Sequence, residues 1–309
     1  MFCPTCSNYF CPTFFKSCFA QLFQVDFAQL FLKVVVVYRM IQVGICGCGF
    51  VGNAILQFLL TQFGITLRVY DKYKNLNKFE WLLNSDILFI CLPTNYDEKI
   101  KTYDMTEIDS TLNELSKQNF TGIILMKSTV LPTYCSDKNK VYPNLNIIHN
   151  PEFLSASTAV VDFSNQTHII LGHTTQSISY INTVQHFYKK LFPLADISVC
   201  TSEESAIAKL ACNSFYATKI HYFTEVYLLC DKMNIPYNTI KELMLKNGWI
   251  DSHHTNVPGH DNRISFGGAC FPKDINAFAQ YMIANEIPSD VLQAVIKERN
   301  RVRCWVMDL

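Results

Sequence analysis

Residues 41–46, Ile-Gln-Val-Gly-Ile-Cys, form a short apolar run, and Gly47-Cys48-Gly49-Phe50-Val51-Gly52 follows it directly. Residues 53–60 then read as a helix. Few folds pass from strand to helix through three glycines at this spacing. Gly47 serves a tight turn, Gly49 lets a ligand approach the backbone, and Gly52 lets the helix pack on the strand. The helix N-terminus, at Phe50 and Val51, offers free N–H groups and positive dipole to a pyrophosphate. The next strand, residues 66–70, ends at Asp71. An acid there bonds ribose hydroxyls and repels a 2′-phosphate, so the pattern predicts a site for NAD rather than NADP. Glycines alone would fit a plain strand–turn–helix unit; strand, helix and acid together specify a dinucleotide site.

The following stretch alternates. Residues 85–92 read as a strand ending at Pro93-Thr94, and residues 109–119 as a helix. A strand over 122–126 leads into Lys127-Ser128-Thr129-Val130, and one over 146–149 into Asn150-Pro151-Glu152-Phe153. A further strand spans 167–172 and a helix 177–191. This order predicts an α/β domain with a doubly wound, Rossmann-type parallel sheet over residues 40–199. Ligands bind beyond the carboxyl ends of such strands, so Pro93, Thr94, Ser128, Thr129 and Glu152 should share one crevice with the cofactor.

Near residue 200 the pattern changes. Thr201-Ser202-Glu203-Glu204 is a capping box, with Thr201 as N-cap and Glu204 three residues on. A helix unbroken by Gly or Pro runs from there to about Lys232, carrying Lys209 and Asn213 on one face. Helices over 238–247, 273–285 and 289–302 complete an all-helical second domain, residues 200–309. No internal repeat or low-complexity linker separates the two.

Basic and acidic residues balance at 26 each and form no basic stripe, which argues against nucleic acid as a partner. Thirteen cysteines without regular spacing point to reduced thiols and a cytoplasmic setting rather than a disulfide framework. Residues 1–39 hold Cys3, Cys6, Cys11 and Cys18, but no second C-x-x-C or His pair completes a zinc pattern. The apolar stretch over 18–38 is interrupted by Gln21, Gln24, Asp26, Gln29 and Lys33, so neither a membrane span nor a signal peptide is expected. The domain is expected to begin at Met40, with residues 1–39 a poorly ordered extension or an upstream start in the gene model. His253, His254 and His260 are close in sequence but match no standard zinc spacing, so no metal is expected.

Phe266-Gly267-Gly268-Ala269-Cys270-Phe271-Pro272-Lys273-Asp274 presents a cysteine behind two glycines. Lys273 is a cation near the thiol, and cations favour the reactive thiolate. A buried, inert cysteine is the plain alternative. Lys209 could likewise be a solvated helix lysine, Glu152 an ordinary turn carboxylate, and Asp274 the N-cap of the following helix.

From Met40 onward the chain resembles the UDP-glucose/GDP-mannose dehydrogenase family. The resemblance rests on Gly47–Gly52, Pro93-Thr94, Lys127–Val130, Asn150-Pro151-Glu152-Phe153-Leu154, the helix carrying Lys209 and Asn213, Val257-Pro258-Gly259, and Phe266 to Asp274. It implies NAD-dependent, four-electron oxidation of a nucleotide-sugar C6 alcohol to the carboxylate, with UDP-glucose the best-known substrate. It further implies Cys270 as covalent nucleophile and Lys209 as oxyanion stabiliser with Asn213 its hydrogen-bonding neighbour. Glu152 would act on the hydrolytic water, with Thr129 and Asp274 assisting proton transfer. Lys273 would assist the cofactor, Phe153, Leu154, Phe266, Gly267 and Gly268 would line the sugar site, and the long helix of the second domain, residues 200–309, would mediate a homodimer. Three departures stand out: Ala156 where the family has a second Glu, Asn262 and Ser265 where glycines are common, and no third, nucleotide-binding domain. Two other readings stand beside this one: a two-electron hydroxyacid-type dehydrogenase on the same scaffold, which Cys270 beside Lys209 and Asn213 argues against, and a catalytically impaired NAD-binding homologue, which Ala156 and the missing domain support.

Overall fold

The computed structural model describes residues 40–305. The readings for Cys3, Cys6, Cys11, Cys18 and residues 18–38 lie outside them. From Gln42 onward the described residues form one compact unit.

The sheet has seven strands: β1 (Ile41–Cys46), β2 (Ile65–Tyr70), β3 (Ile87–Ile90), β6 (Ile123–Met126), β7 (Asn146–His149), β8 (His168–His173) and β9 (Asp196–Thr201), in the order β2-β1-β3-β6-β7-β8-β9. β4 (Tyr96–Asp97) and β5 (Thr102–Tyr103) form a separate antiparallel hairpin. β1, β3, β6 and β7 pair in parallel. The order reverses between β2 and β3 on either side of β1, so the crevice opens beyond the ends of β1 and β3. β3 and β6 are buried throughout as Ile-Leu-Phe-Ile and Ile-Ile-Leu-Met, the continuous apolar runs of strands covered on both faces.

β8 departs from the expected parallel sheet: it runs antiparallel to β7, and β9 is parallel to β8. An antiparallel neighbour starts at the edge where the previous strand ends. The connection after His149 therefore stays at the crevice edge, and it contains Glu152. β9 has no clear period-2 burial, which is why its sequence gives no strand signal.

The helices follow their apolar spacing. In α1 (Phe50–Leu59), Gly52, Ala54, Ile55 and Leu59 are buried. In α2 (Thr106–Lys117), Ile108, Thr111, Leu112 and Leu115 are buried at i, i+3, i+4 and i+7. Ile108, Leu112 and Leu115 pack with Leu88, Ile90, Ile124 and Met126 in one core cluster, with Cys135 of α3 (Tyr134–Val141). On α1, Phe58 stacks on Phe192 at 4.7 Å between centroids, and Phe163 of α4 (Ala159–Ser164) meets both edge-on. Such pairs contribute about 0.5–1.5 kcal/mol each beyond area burial. The expected helix over 177–191 is a short 3-10 turn at Ile178–Tyr180 followed by α5 (Ile181–Leu191).

α6 (Ser202–Lys232) carries the predicted capping box: Thr201 Oγ1 accepts from Glu204 N, and the Glu204 carboxylate accepts from Thr201 N at 2.8 Å. Its buried stripe is rich in small residues, among them Ser202, Ser205, Ala206, Ser214 and Ala217. Close packing needs this: a Cβ on Gly172 of β8 would lie 2.5 Å from Ser205 Cβ. α7 (Tyr237–Leu245), α8 (Phe271–Ala284) and α9 (Asp290–Trp305) follow. Among the described residues no helix is long and apolar enough to cross a membrane.

Candidate active site

The glycine loop is built as its sequence demands. Gly47 takes φ +89°, and its N–H donates to Tyr70 O at 2.8 Å, tying the loop to β2. A Cβ on Gly52 would lie 1.9 Å from the Gly47 carbonyl oxygen, so only glycine fits where α1 meets the turn. A Cβ on Gly49 would meet nothing within 4 Å: that side of the loop is open. Asp71 has more work than the sequence reading gave it. Its Oδ2 accepts from Cys48 N at 2.7 Å, and its Oδ1 from Tyr73 N and Lys74 N at 3.0 Å. A carboxylate has about four lone-pair positions, so room for one ribose hydroxyl remains. The open loop, the unpaired first-turn amides of α1 and Asp71 fit NAD.

A crevice of about 590 Å³ starts at this loop. Gly47, Gly49, Phe50, Val51 and Asp71 line one part; Pro93, Thr94, Ser128 and Thr129 lie past β3 and β6; Glu152, Cys270 and Lys273 close the far wall. All twelve were singled out from sequence, and they come from segments more than 200 residues apart. The volume falls in the range of cofactor and substrate pockets, about 300–1,000 Å³.

Behind this wall runs a polar network. Lys209 is 3 % exposed rather than solvated; its amine lies 3.3 Å from Glu152 Oε1, also bonds the Glu152 carbonyl, and sits 4.9 Å from the centre of the Phe153 ring. Glu152 Oε2 accepts from Leu154 N at 2.6 Å. Asn213 does not bond Lys209; its amide donates to Asp274 Oδ2 at 2.6 Å. Asp274 also accepts from Lys273 Nζ and Tyr103 OH, both at 2.6 Å. The N-cap of α8 is Cys270, not Asp274, which lies within the first turns, fully buried. The i, i+4 pair Lys209 and Asn213 thus reaches two different carboxylates.

Cys270 differs from the expected thiolate. Burial pushes its thiol pKa up, and Glu152 and Asp274 add to the rise; Lys273 and Lys209 act the other way without overcoming it. Lys273 is committed to Asp274, so the thiol is protonated at neutral pH and needs a base to react.

Phe266 is not a lining residue. It is 2 % exposed in a core cluster with Ala217 and Ile275, and Gly267 and Gly268 are likewise absent from the crevice wall. Lys127 and Tyr103 were not anticipated as site residues. Lys127 lines the crevice, donates to Asn150 Oδ1 and Pro151 O at 3.2 Å, and is pulled down to about 8 by burial. Its place directly before Ser128-Thr129 was the available signal; Tyr103, on a two-residue strand, gave none. Ala156 lines a second hollow of about 400 Å³ beside Gly49, Phe50 and Lys74. His254 packs against the rings of Tyr216 and Phe271 at 5.0 and 5.5 Å, and His253 bonds Asp251.

Two models of one family match this chain: the NAD binding domain of the UDP-glucose/GDP-mannose dehydrogenase family over residues 66–192, and its central domain over residues 203–301. The chain belongs to the UDP-glucose/GDP-mannose dehydrogenase family. UDP-glucose 6-dehydrogenase of Rickettsia conorii is 31% identical over 245 residues, covering 74% of this chain and 52% of the relative. That of Campylobacter jejuni is 27% identical over 227 residues, covering 72% and 55%. The chain therefore spans about half the length of these dehydrogenases. A solved UDP-glucose dehydrogenase from Pyrobaculum islandicum shares the fold with TM-score 0.71 at 20% identity, over 84% of this chain and 68% of that one. A 3-hydroxyisobutyrate dehydrogenase of Mycobacterium tuberculosis aligns with TM-score 0.65 at 15% identity, over 84% of this chain and 92% of its own. Lys209, Asn213, Cys270, Lys273 and Asp274 fall in the family's central domain and Tyr103 and Glu152 in its NAD binding domain, whereas the Gly47–Gly52 loop precedes the matched NAD binding segment.

Proposed function

We propose that this chain carries out NAD-dependent, four-electron oxidation of a nucleotide-sugar C6 alcohol to the carboxylate, with UDP-glucose as substrate. The observation that carries the reading is that Cys270 and Glu152 share one crevice with the glycine loop. A two-electron dehydrogenase has no use for a thiol there.

NAD, when bound, accepts hydride, and two molecules are reduced for four electrons removed. The chain's residues supply the rest. Once the alcohol is an aldehyde, Cys270 Sγ bonds its carbon and the thiol proton ends on the new hydroxyl, giving a thiohemiacetal. This restores the tetrahedral carbon from which a second hydride can leave, and a thioester results. Water then attacks the thioester carbonyl, the C–S bond breaks, and carboxylate and free thiol are released. Glu152, its carboxylate fixed by Lys209 and Leu154 N, takes up the proton of that water. Lys209 brings positive charge to the wall where oxyanions form. Thr129 orients the water, and Asp274 holds Lys273 at the crevice.

Residues 40–199 serve as the cofactor domain and 200–309 as the catalytic and dimerisation domain, in the cytoplasm. The dimer reading draws support from α6: Phe215, Tyr222 and Leu229 are 62%, 54% and 59% exposed and one heptad apart.

The test is stoichiometry. The chain is supplied with NAD and, in turn, UDP-glucose, GDP-mannose and UDP-N-acetylmannosamine. Two NADH per sugar is expected with UDP-glucose; one NADH on a hydroxyacid would favour the two-electron reading. NAD binding without turnover would favour an impaired homologue, which the hollow at Ala156 makes the second reading.

A further inference from the structure

The loop leading into Cys270 is held by the last helix. α9 carries Arg299 and Arg303 one turn apart, on one face. Arg303 Nη1 donates to Ser265 O at 2.9 Å, and Nη2 pairs with Asp261 Oδ2 at 2.5 Å. Arg299 Nε donates to Phe266 O at 3.2 Å, and its guanidinium lies 5.5 Å from the centre of the Phe266 ring. Gly267 lies against the clamp: a Cβ there would be 2.6 Å from Arg303 Nη1.

α6 grips the loop from the other side. Ser265 N donates to Thr224 Oγ1 at 2.9 Å, and Ser265 Oγ bonds His221 Nδ1 at 2.8 Å. Asn262 and Ser265 take φ +55° and +61°, left-handed conformations that cost a non-glycine residue about 1–2 kcal/mol. They persist because the surroundings over-determine them. At Ser265 every polar atom is engaged, with Arg303, Thr224 or His221.

We propose that Arg303, with Arg299, is a positioning residue for Cys270: α9 clamps the Asp261–Gly267 segment and thereby fixes the depth at which the thiol sits in the crevice wall. This rests on the reading of Cys270 as nucleophile. Neither arginine lines the crevice, so both act only through the loop. Burial is the largest cause of the raised thiol pKa. Releasing the loop should bring the thiol towards solvent and its ionisation towards the ordinary range.

The experiment is iodoacetamide labelling of the full chain from pH 6.5 to 10, with modification of the Cys270 peptide followed by mass spectrometry so that the other cysteines do not contribute. In Arg303→Gln, the Cys270 pH–rate profile should move to lower pH, giving about three- to tenfold faster labelling at pH 8, since each unit of thiol pKa changes the thiolate fraction about tenfold. Arg299→Gln should give a smaller shift in the same direction. If R303Q is recovered only as aggregate, R303K decides, because an ammonium lacks the planar fork with which Arg303 meets Asp261 and Ser265 O at once; the same shift is expected. A profile that superposes on the parent in a folded Arg303 variant overturns the proposal, whatever happens to melting temperature. Labelling needs no turnover. A shift without any sugar oxidation in the parent leaves the clamp standing and removes the proposed function instead.

Discussion

His149 ends β7 directly before the Asn150–Glu152 segment and is fully buried. Its Nδ1 meets Ser205 Oγ at 2.8 Å, while Nε2 has no hydrogen-bond partner. Burial, reinforced by the charges of Lys127 and Lys209, pulls its pKa from 6.5 down to about 3. The unfolded chain therefore binds a proton between those values that the folded chain refuses, so stability falls as pH drops through this window. At about 1.4 kcal/mol per unit, the full window is worth about 5 kcal/mol, and acidification from pH 7 to pH 5 about 2 kcal/mol. That is a large share of a typical 5–15 kcal/mol stability. The perturbation is the double substitution H149F/S205A, which removes the titrating ring and its hydroxyl partner together and leaves neither polar group stranded. Urea unfolding at pH 7, 6 and 5 gives the stability change on acidification for parent and variant. The variant should lose about 2 kcal/mol less than the parent between pH 7 and 5. His221 and His254 are also depressed by burial, but they titrate in both proteins and cancel in the difference. Equal acid sensitivity in the two proteins would refute the assignment of this loss to His149.

Three further outcomes follow from the geometry. Gly52→Ala should cost about 2 kcal/mol or more in urea unfolding, because its Cβ would overlap the Gly47 carbonyl, and NAD affinity by calorimetry should fall with it. Thr201→Ala removes the acceptor for Glu204 N and should destabilise by about 1 kcal/mol without changing NAD affinity; a large loss of affinity would mean the cap acts on more than α6. Cys270→Ser should block acid formation while hydride transfer from the alcohol persists, read as aldehyde trapped by a hydrazine; normal yields of acid would sink the covalent route.

Much of this molecule is legible one residue at a time. The capping box sets the start of α6, the buried i, i+3, i+4, i+7 spacing sets α2, and an apolar run closed by glycines sets β1 and α1. Each is a local cause with a local sign. β9 and the β4–β5 hairpin were missed because two-residue strands and edge strands with irregular burial leave no period to read. The direction of β8 was missed because it depends on where the preceding connection runs. A place in the shared crevice was legible where residues follow strand ends, as at Thr94, Ser128 and Glu152. Partnerships were not: Asn213 finds Asp274, Tyr103 finds Asp274, and Lys209 finds Glu152 across 61, 171 and 57 residues of chain. Nor was the raised thiol pKa, since a sequence shows Lys273 beside Cys270 but not the burial that outweighs it.

α6 acts as a ruler. Lys209 and Asn213 stand about 6 Å apart along one helix at 1.5 Å per residue, and each is bonded to a different carboxylate. The spacing between the anchor of Glu152 and that of Asp274 is thus written in helical rise. One residue inserted between the cap at Thr201 and Lys209 would turn both side chains by about 100° and release both acids together. Length in this part of the chain is as constrained as identity.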